Sequence, residues 1–212
     1  MHRPITIAFE GGEGSGKDSV IEDVKNHLEE CGLTVKVVRE PGGCKVAEQL
    51  REIMLHEDMC GAAELFLLMS ARAQLHEELS KELDGVDILI KNRSFISSLV
   101  YQGAVRGIGI YKVAELVSLF SDYFDKLDYS ILMDVDAVEG LSRAKGRAAL
   151  DRIESAGLEF HKNVNKSYRE LFEMQALGNI MGKKHIIDAN KSYDEVKKNT
   201  IDLVCKMIAE NK

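Results

Sequence analysis

Residues 9–19 read Phe-Glu-Gly-Gly-Glu-Gly-Ser-Gly-Lys-Asp-Ser, directly after the apolar run Ile5-Thr6-Ile7-Ala8-Phe9. A strand, then G-x-x-x-x-G-K, then a helical pattern is the signature of a phosphate-binding loop. Gly11 and Gly16 allow positive φ and let bare backbone N–H groups approach phosphate oxygens, with Gly12, Glu13, Gly14 and Ser15 completing the loop. Lys17 adds a mobile cation, and the helix that follows points its positive end at the same anion. One letter departs from the pattern. The position after the lysine ordinarily carries a hydroxyl that binds Mg²⁺; here it is Asp18, followed by Ser19. A glycine-rich turn without a ligand is the plain alternative, and the full spacing argues against it.

The rest of the chain suits that loop. Short runs rich in Val, Ile and Leu recur at 4–9, 33–38, 86–91, 129–135 and 184–188, as buried parallel strands do. Helical patterns fill the gaps at 19–30, 47–55, 62–83, 97–105, 113–127, 137–145, 159–177 and 192–210. Strands alternating with helices predict a three-layer α/β/α fold of the P-loop NTPase type, with a five-stranded parallel sheet. With 212 residues, two prolines and no Ser/Gly-rich linker, residues 1–212 are expected to form one domain. Residues 144–157 are small, charged and weakly periodic, and are expected to form a flexible lid.

Composition excludes some partners. The net charge is −7, so non-specific nucleic-acid binding is not expected. No apolar run approaches a membrane span, no secretory leader precedes the first strand, and the four scattered cysteines read as reduced thiols; a cytoplasmic location follows as an expectation. The six histidines form no zinc-type cluster.

Chemistry is expected where the strands end. The second strand runs into Arg39, Glu40, Pro41 and two glycines, which read either as a ligand site or as a solvent-exposed turn. The third ends at Asn92 and Arg93, where phosphate-loop enzymes often carry an Asp that supports Mg²⁺. Ser98 and Gln102 are one helical turn apart, and Gln102 has the donor and acceptor that suit a nucleobase edge. Arg72 lies on a largely apolar helix and so demands a partner. Arg143 and Arg147 share a helix face beside the proposed lid, where cations could neutralise a transferring phosphoryl group.

Taken in order, Phe9-Glu10-Gly11 to Gly16-Lys17, Arg39 to Gly43, Ser70-Ala71-Arg72, Asn92-Arg93 with Ser97 to Gly103, Leu150 to Glu154 and Ile187-Asp188-Ala189 resemble the bacterial thymidylate kinase family across nearly the whole chain. The resemblance implies transfer of the γ-phosphoryl of ATP to dTMP with Mg²⁺, usually by a homodimer. Carried onto this sequence, Lys17 and the loop amides hold ATP. Arg51 and Arg93 hold the dTMP phosphate, and Arg72 and Gln102 bond the thymine edge with Ser98 beside them. Glu13 in the loop pairs with a catalytic lid arginine, Arg147; Arg143, Asp188 and Ala189 lie by the adenine. Glu40 joins the acceptor and metal sites.

Three departures carry consequences. Asp18 and Asn92 exchange the family's hydroxyl and carboxylate, which conserves formal charge and suggests a relocated metal ligand, with Asp18, Glu40 and Asn92 as the metal set; a weakly active or non-catalytic nucleotide binder is the alternative. Leu68 stands where the family stacks a Phe on thymine, with Phe66 as the aromatic to replace it. Losing that ring leaves open a different or modified pyrimidine acceptor. A GTP switch is disfavoured, since no N-K-x-D motif is present.

Overall fold

A computed structural model describes residues 3–120, 126–144 and 152–211. Five strands alternate with helices. β1 (Ile5–Glu10) leads into α1 (Lys17–Glu30), and β2 (Val35–Arg39) into α2 (Lys45–His56) and α3 (Gly61–Leu79). β3 (Ile88–Asn92) is followed by the short α4 (Phe95–Ser98), a π-helical segment (Leu99–Val105) and α5 (Ile110–Leu119). β4 (Tyr129–Asp134), α6 (Ala137–Ala144), α7 (Leu158–Glu173), α8 (Gly178–Met181), β5 (Lys183–Asp188) and α9 (Tyr193–Ala209) complete the order.

The strands form one all-parallel sheet in the order β2-β3-β1-β4-β5, and the register pairs Ile7 with Ile90 on one side and Tyr129 on the other. Side chains alternate across a strand, so β1 feeds two cores. Ile7 and Phe9 pack under α1 and α9 with Val20, Val24, Val204 and Met207. Ala8 faces the opposite layer, where Leu65, Met69, Val113, Val164 and Tyr168 come from α3, α5 and α7. Central strands buried on both faces need no polar alternation, which explains their unbroken apolar runs. The three-layer fold of the P-loop NTPase type is therefore present.

Boundaries differ in places. The helix expected over 62–83 stops at Leu79, and the one expected over 113–127 spans Ile110–Leu119, with 121–125 outside the described residues. The helix expected at 97–105 divides into α4 and the π-helical segment, a form that recurs at functional sites because the extra residue per turn re-aims side chains. Of the lid expected at 144–157, residues 145–151 lie outside the described part. Because all strands are parallel, their carboxyl ends share one edge, and the chain exits there next to α1.

Candidate active site

The loop after β1 is a cradle of main-chain groups. Gly11, Gly14 and Gly16 have φ of 150°, 67° and 78°. Gly16 serves as the N-cap of α1 without a side-chain cap, so the N–H groups of the first turn stay open to an anion. Close neighbours forbid side chains here. A Cβ on Gly14 would overlap the carbonyl oxygen of Gly140 in α6, and one on Gly12 would overlap Oδ1 of Asn165 in α7. Ser15 is buried, and its hydroxyl has no partner among the described residues. An orphaned hydroxyl within a ring of open amides fits a bound phosphate.

Lys17 is buried beside this ring, and burial, reinforced by the nearby positive charge of Arg93, pulls its ammonium down to about 8. Glu13, Lys17, Asp18 and Ser19 open onto a cleft of about 300 Å³ together with Arg51, Arg72, Arg93, Gln102 and Leu68. Loop and acceptor candidates are thus brought to one cavity.

The far wall is built from paired charges. Arg72 on α3 is 4% exposed; its Nε donates to Glu40 Oε2 at 2.6 Å, Nη1 to Ser98 Oγ at 2.8 Å and Nη2 to the Ser94 carbonyl at 2.8 Å. Lys91 Nζ approaches the other Glu40 oxygen at 2.6 Å. Nη1 also reaches Met69 Sδ at 4.0 Å, so four of the five guanidinium N–H groups are used and one Nη2 N–H remains for the cleft. Arg51 Nη1 donates to the Pro41 carbonyl at 3.2 Å across the same opening.

Arg93 occupies the left-handed region, φ 70°, at the end of β3. Strain of this kind persists only when the surroundings fix it. Its Nη1 donates to Ser97 Oγ at 3.3 Å and to the Tyr168 hydroxyl at 3.2 Å, and the guanidinium lies 5.6 Å from the Tyr101 ring centre. Beneath it, the fully buried Glu10 accepts from Ser94 N and Oγ, Ser97 Oγ and the Tyr168 hydroxyl, all within 2.9 Å. Burial, and then the charge of Glu10, pushes the Tyr168 phenol well up, so it remains a donor to that carboxylate.

Four of the expected residues have partners or positions that the sequence did not reveal. Glu40 lines the cleft with each oxygen engaged by a buried cation, Arg72 or Lys91. Ser98 lies beside Arg72 as expected, but fully buried behind it and outside the cleft lining. Phe66 is 61% exposed on the outer side of α3 and cannot stand in for an aromatic at Leu68, which does line the cleft. Asn92 turns the hydrogen-bearing end of its amide to Asp18, Nδ2 to Oδ1 at 2.5 Å, so it orients Asp18 instead of offering its own oxygen there. Arg143, Asp188 and Ala189 come together, Arg143 Nη1 donating to the Ala189 carbonyl at 2.8 Å, outside the cleft lining. Arg147 lies outside the described residues. Sequence reasoning missed Lys91, Glu64, Gly140, Asn165 and Tyr168. Lys91 had a readable signal: a charge inside an apolar strand needs a partner.

A five-stranded parallel sheet carrying a phosphate loop, whose cleft is lined on its far side by the guanidinium groups of Arg51, Arg72 and Arg93, defines a P-loop phosphotransferase. Comparison narrows the class. The Thymidylate kinase family model matches residues 9–200. The thymidylate kinase of Francisella tularensis subsp. holarctica (strain OSU18) is 36% identical over 197 residues, 91% of each chain. That of Pseudoalteromonas translucida (strain TAC 125) is 34% identical over 214 residues, 99% of this chain and 100% of its relative, and that of Chlorobaculum parvum (strain DSM 263 / NCIMB 8327) is 36% identical over 183 residues, 81% and 84%. This chain belongs to the thymidylate kinase family.

Proposed function

We infer that the protein transfers the γ-phosphoryl of ATP to dTMP, giving dTDP. The observation that carries this reading is one cleft lined both by the phosphate loop with Lys17 and by Arg51, Arg72 and Arg93. The nucleophile is an oxygen of the acceptor phosphate, already ionised at neutral pH, so no strong general base is needed. Positioning and charge stabilisation then supply the rate. Loop amides and Lys17 hold the donor phosphates. Arg51 and Arg93 hold the acceptor dianion, for which the guanidinium fork is suited. Arg143, Asp188 and Ala189 serve the adenine, and Glu13 works with Arg147.

The base edge follows from hydrogen-bond polarity. Arg72 has one Nη2 N–H to spare, and Gln102 Nε2 is held at 2.5 Å by Glu64 while its Oε1 has no partner among the described residues. A donor beside an acceptor matches O4 and N3–H of thymine or uracil; cytosine presents the reverse. Leu68 gives the methyl-bearing ring an apolar wall but no stacking partner.

Asp18 and Asn92 fit a Mg²⁺ bound largely through phosphate oxygens and water, since such sites need only one or two carboxylates. Asp18 supplies the carboxylate and Asn92 holds it; the ion, when bound, neutralises charge on the donor phosphates. No helix among the described residues is long and apolar enough to cross a membrane. We extend the reading to a homodimer, supported by the exposed Phe66 and Ile53, and to a cytoplasmic location.

A coupled assay of ADP release tests the reading, with dTMP, dUMP, dCMP and a purine monophosphate as acceptors. dTMP should give the highest kcat/KM and dCMP far less. Tight ATP binding with no ADP from any acceptor, under Mg²⁺ or Mn²⁺, would establish a non-catalytic binder instead.

A further inference from the structure

Glu64 is 1% exposed, on α3, and touches neither phosphate nor base in the reading above. It lies two helical turns before Arg72 with Leu68 between, so the three i, i+4 positions form one stripe about 12 Å long. Leu68 and Arg72 line the cleft; Glu64 is sealed behind Gln102. Its Oε1 accepts from Gln102 Nε2 at 2.5 Å, and its Oε2 accepts from Arg152 Nη2 at 2.6 Å and Arg106 Nη2 at 3.4 Å. Arg152 is itself anchored, its Nη2 and Nε donating to the Met54 carbonyl at 3.0 and 3.2 Å.

A carboxylate between two guanidinium groups has only lone pairs to offer. The amide atom that faces it must therefore be the NH₂. Gln102 is 2% exposed, and its Oε1 has no partner among the described residues. A buried acceptor without a partner is a costly arrangement unless a ligand completes it.

We propose that Glu64 is a positioning residue for base selection. It locks the Gln102 amide with its oxygen toward the cleft, so that the site admits a base edge carrying N–H and rejects one carrying a bare ring nitrogen. Arg106 and Arg152 serve by compensating the Glu64 charge, which would otherwise be unsupported in the interior. The inference rests on the transferase reading and names the residue that enforces its acceptor choice. Glu64→Gln preserves shape but can present either end of its amide, and so frees Gln102 to flip.

The test measures kcat/KM for dTMP and dCMP, and equilibrium binding of both, in wild type, Glu64→Gln, Gln102→Leu and the double variant. Glu64→Gln should lower the dTMP-to-dCMP ratio by about tenfold, the discrimination of one misdirected hydrogen bond, through KM with little change in kcat. In the Gln102→Leu background the same change should leave the ratio where it is. A ratio unmoved by Glu64→Gln, or equal losses on both nucleotides, overturns the positioning role while leaving the transferase reading intact. A wild type that neither binds nor phosphorylates dTMP overturns both. Should Glu64→Gln fail to fold, the wild type answers. The chain has four glutamines, so ¹⁵N labelling of their side chains resolves Gln102. Its NH₂ protons should exchange slowly before nucleotide is added, and rapid exchange would contradict the lock.

Discussion

The phosphate cradle uses few side chains, whereas the cavity beside it is made of them. The loop from Gly11 to Gly16 offers N–H groups, positive φ and a helix end, all within six residues. The acceptor wall draws Glu40 from the exit of β2, Lys91 from β3 and Arg93 from the residue after it, Glu64 and Arg72 from α3, Gln102 from the π-helical segment and Tyr168 from α7. Main-chain donors need no side-chain partner to hold them in charge balance. Buried ion pairs do, because losing one partner strands the other. Removing the cradle's charged side chain should therefore cost activity alone, and substitutions in the acceptor wall should cost stability as well.

Lys17→Met gives the sharpest contrast. It removes a cation from the donor phosphates, and kcat should fall about a thousandfold, as for loss of a transition-state charge contact. The melting temperature should not fall, since burial already disfavours the charged form. A large drop in melting temperature would erase the distinction between the two regions.

Arg72→Leu is the counterpart. Glu40 keeps Lys91 but loses its guanidinium, and Ser98 Oγ and the Ser94 carbonyl lose their donor. Denaturant unfolding should show a loss of about 3 kcal/mol, with KM for dTMP rising far more than KM for ATP. Equal effects on both substrates would show that the two walls are not separable.

Asp18→Thr should raise the Mg²⁺ concentration for half-maximal turnover about tenfold, and adding Asn92→Asp should restore it. Mn²⁺ binding in the presence of ADP gives the same comparison without catalysis. Higher activity for Asp18→Thr alone would mean that the carboxylate has not moved from position 92 to position 18.

Protonation offers a subtler probe. Lys17 titrates near 8 when folded and near 10.5 when unfolded. The unfolded chain therefore holds the extra proton between those values, and this residue's contribution to stability rises with pH across that window. ATP affinity should run the other way, weakening above about pH 8 as the cation is lost. Lys17→Met should flatten both trends. Leu68→Phe, the mildest change, should lower KM for dTMP about fivefold by restoring a stacking face, in line with roughly 1 kcal/mol for a base–aromatic contact.

Legibility in the sequence divides along the same boundary. The cradle could be read residue by residue because its spacing is local and its ligand contacts are main-chain. All five strands were expected within about two residues of where they lie, since a central parallel strand leaves an unbroken apolar run. The acceptor wall was readable only as demands. Arg72 announced a need for a partner, but Glu40 is 32 residues away, and the Arg152–Glu64 pair spans 88. Periodicity carries no information at such separations. Glu64 had one readable clue, its place on the stripe with Leu68 and Arg72. The Asn92 amide facing Asp18 makes physical sense of two departures that looked independent in sequence.

Adjacency of the two anion sites is the central claim, and a single ligand addresses it most directly: adenosine and thymidine joined through five phosphates. By calorimetry it should bind at least about a hundredfold tighter than ATP or dTMP alone, because occupying one site raises the effective concentration at the other. Lys17→Met and Arg72→Leu should each forfeit most of that gain. Affinity no better than that of ATP would contradict the claim that the cradle and the guanidinium-lined cavity act on one pair of nucleotides.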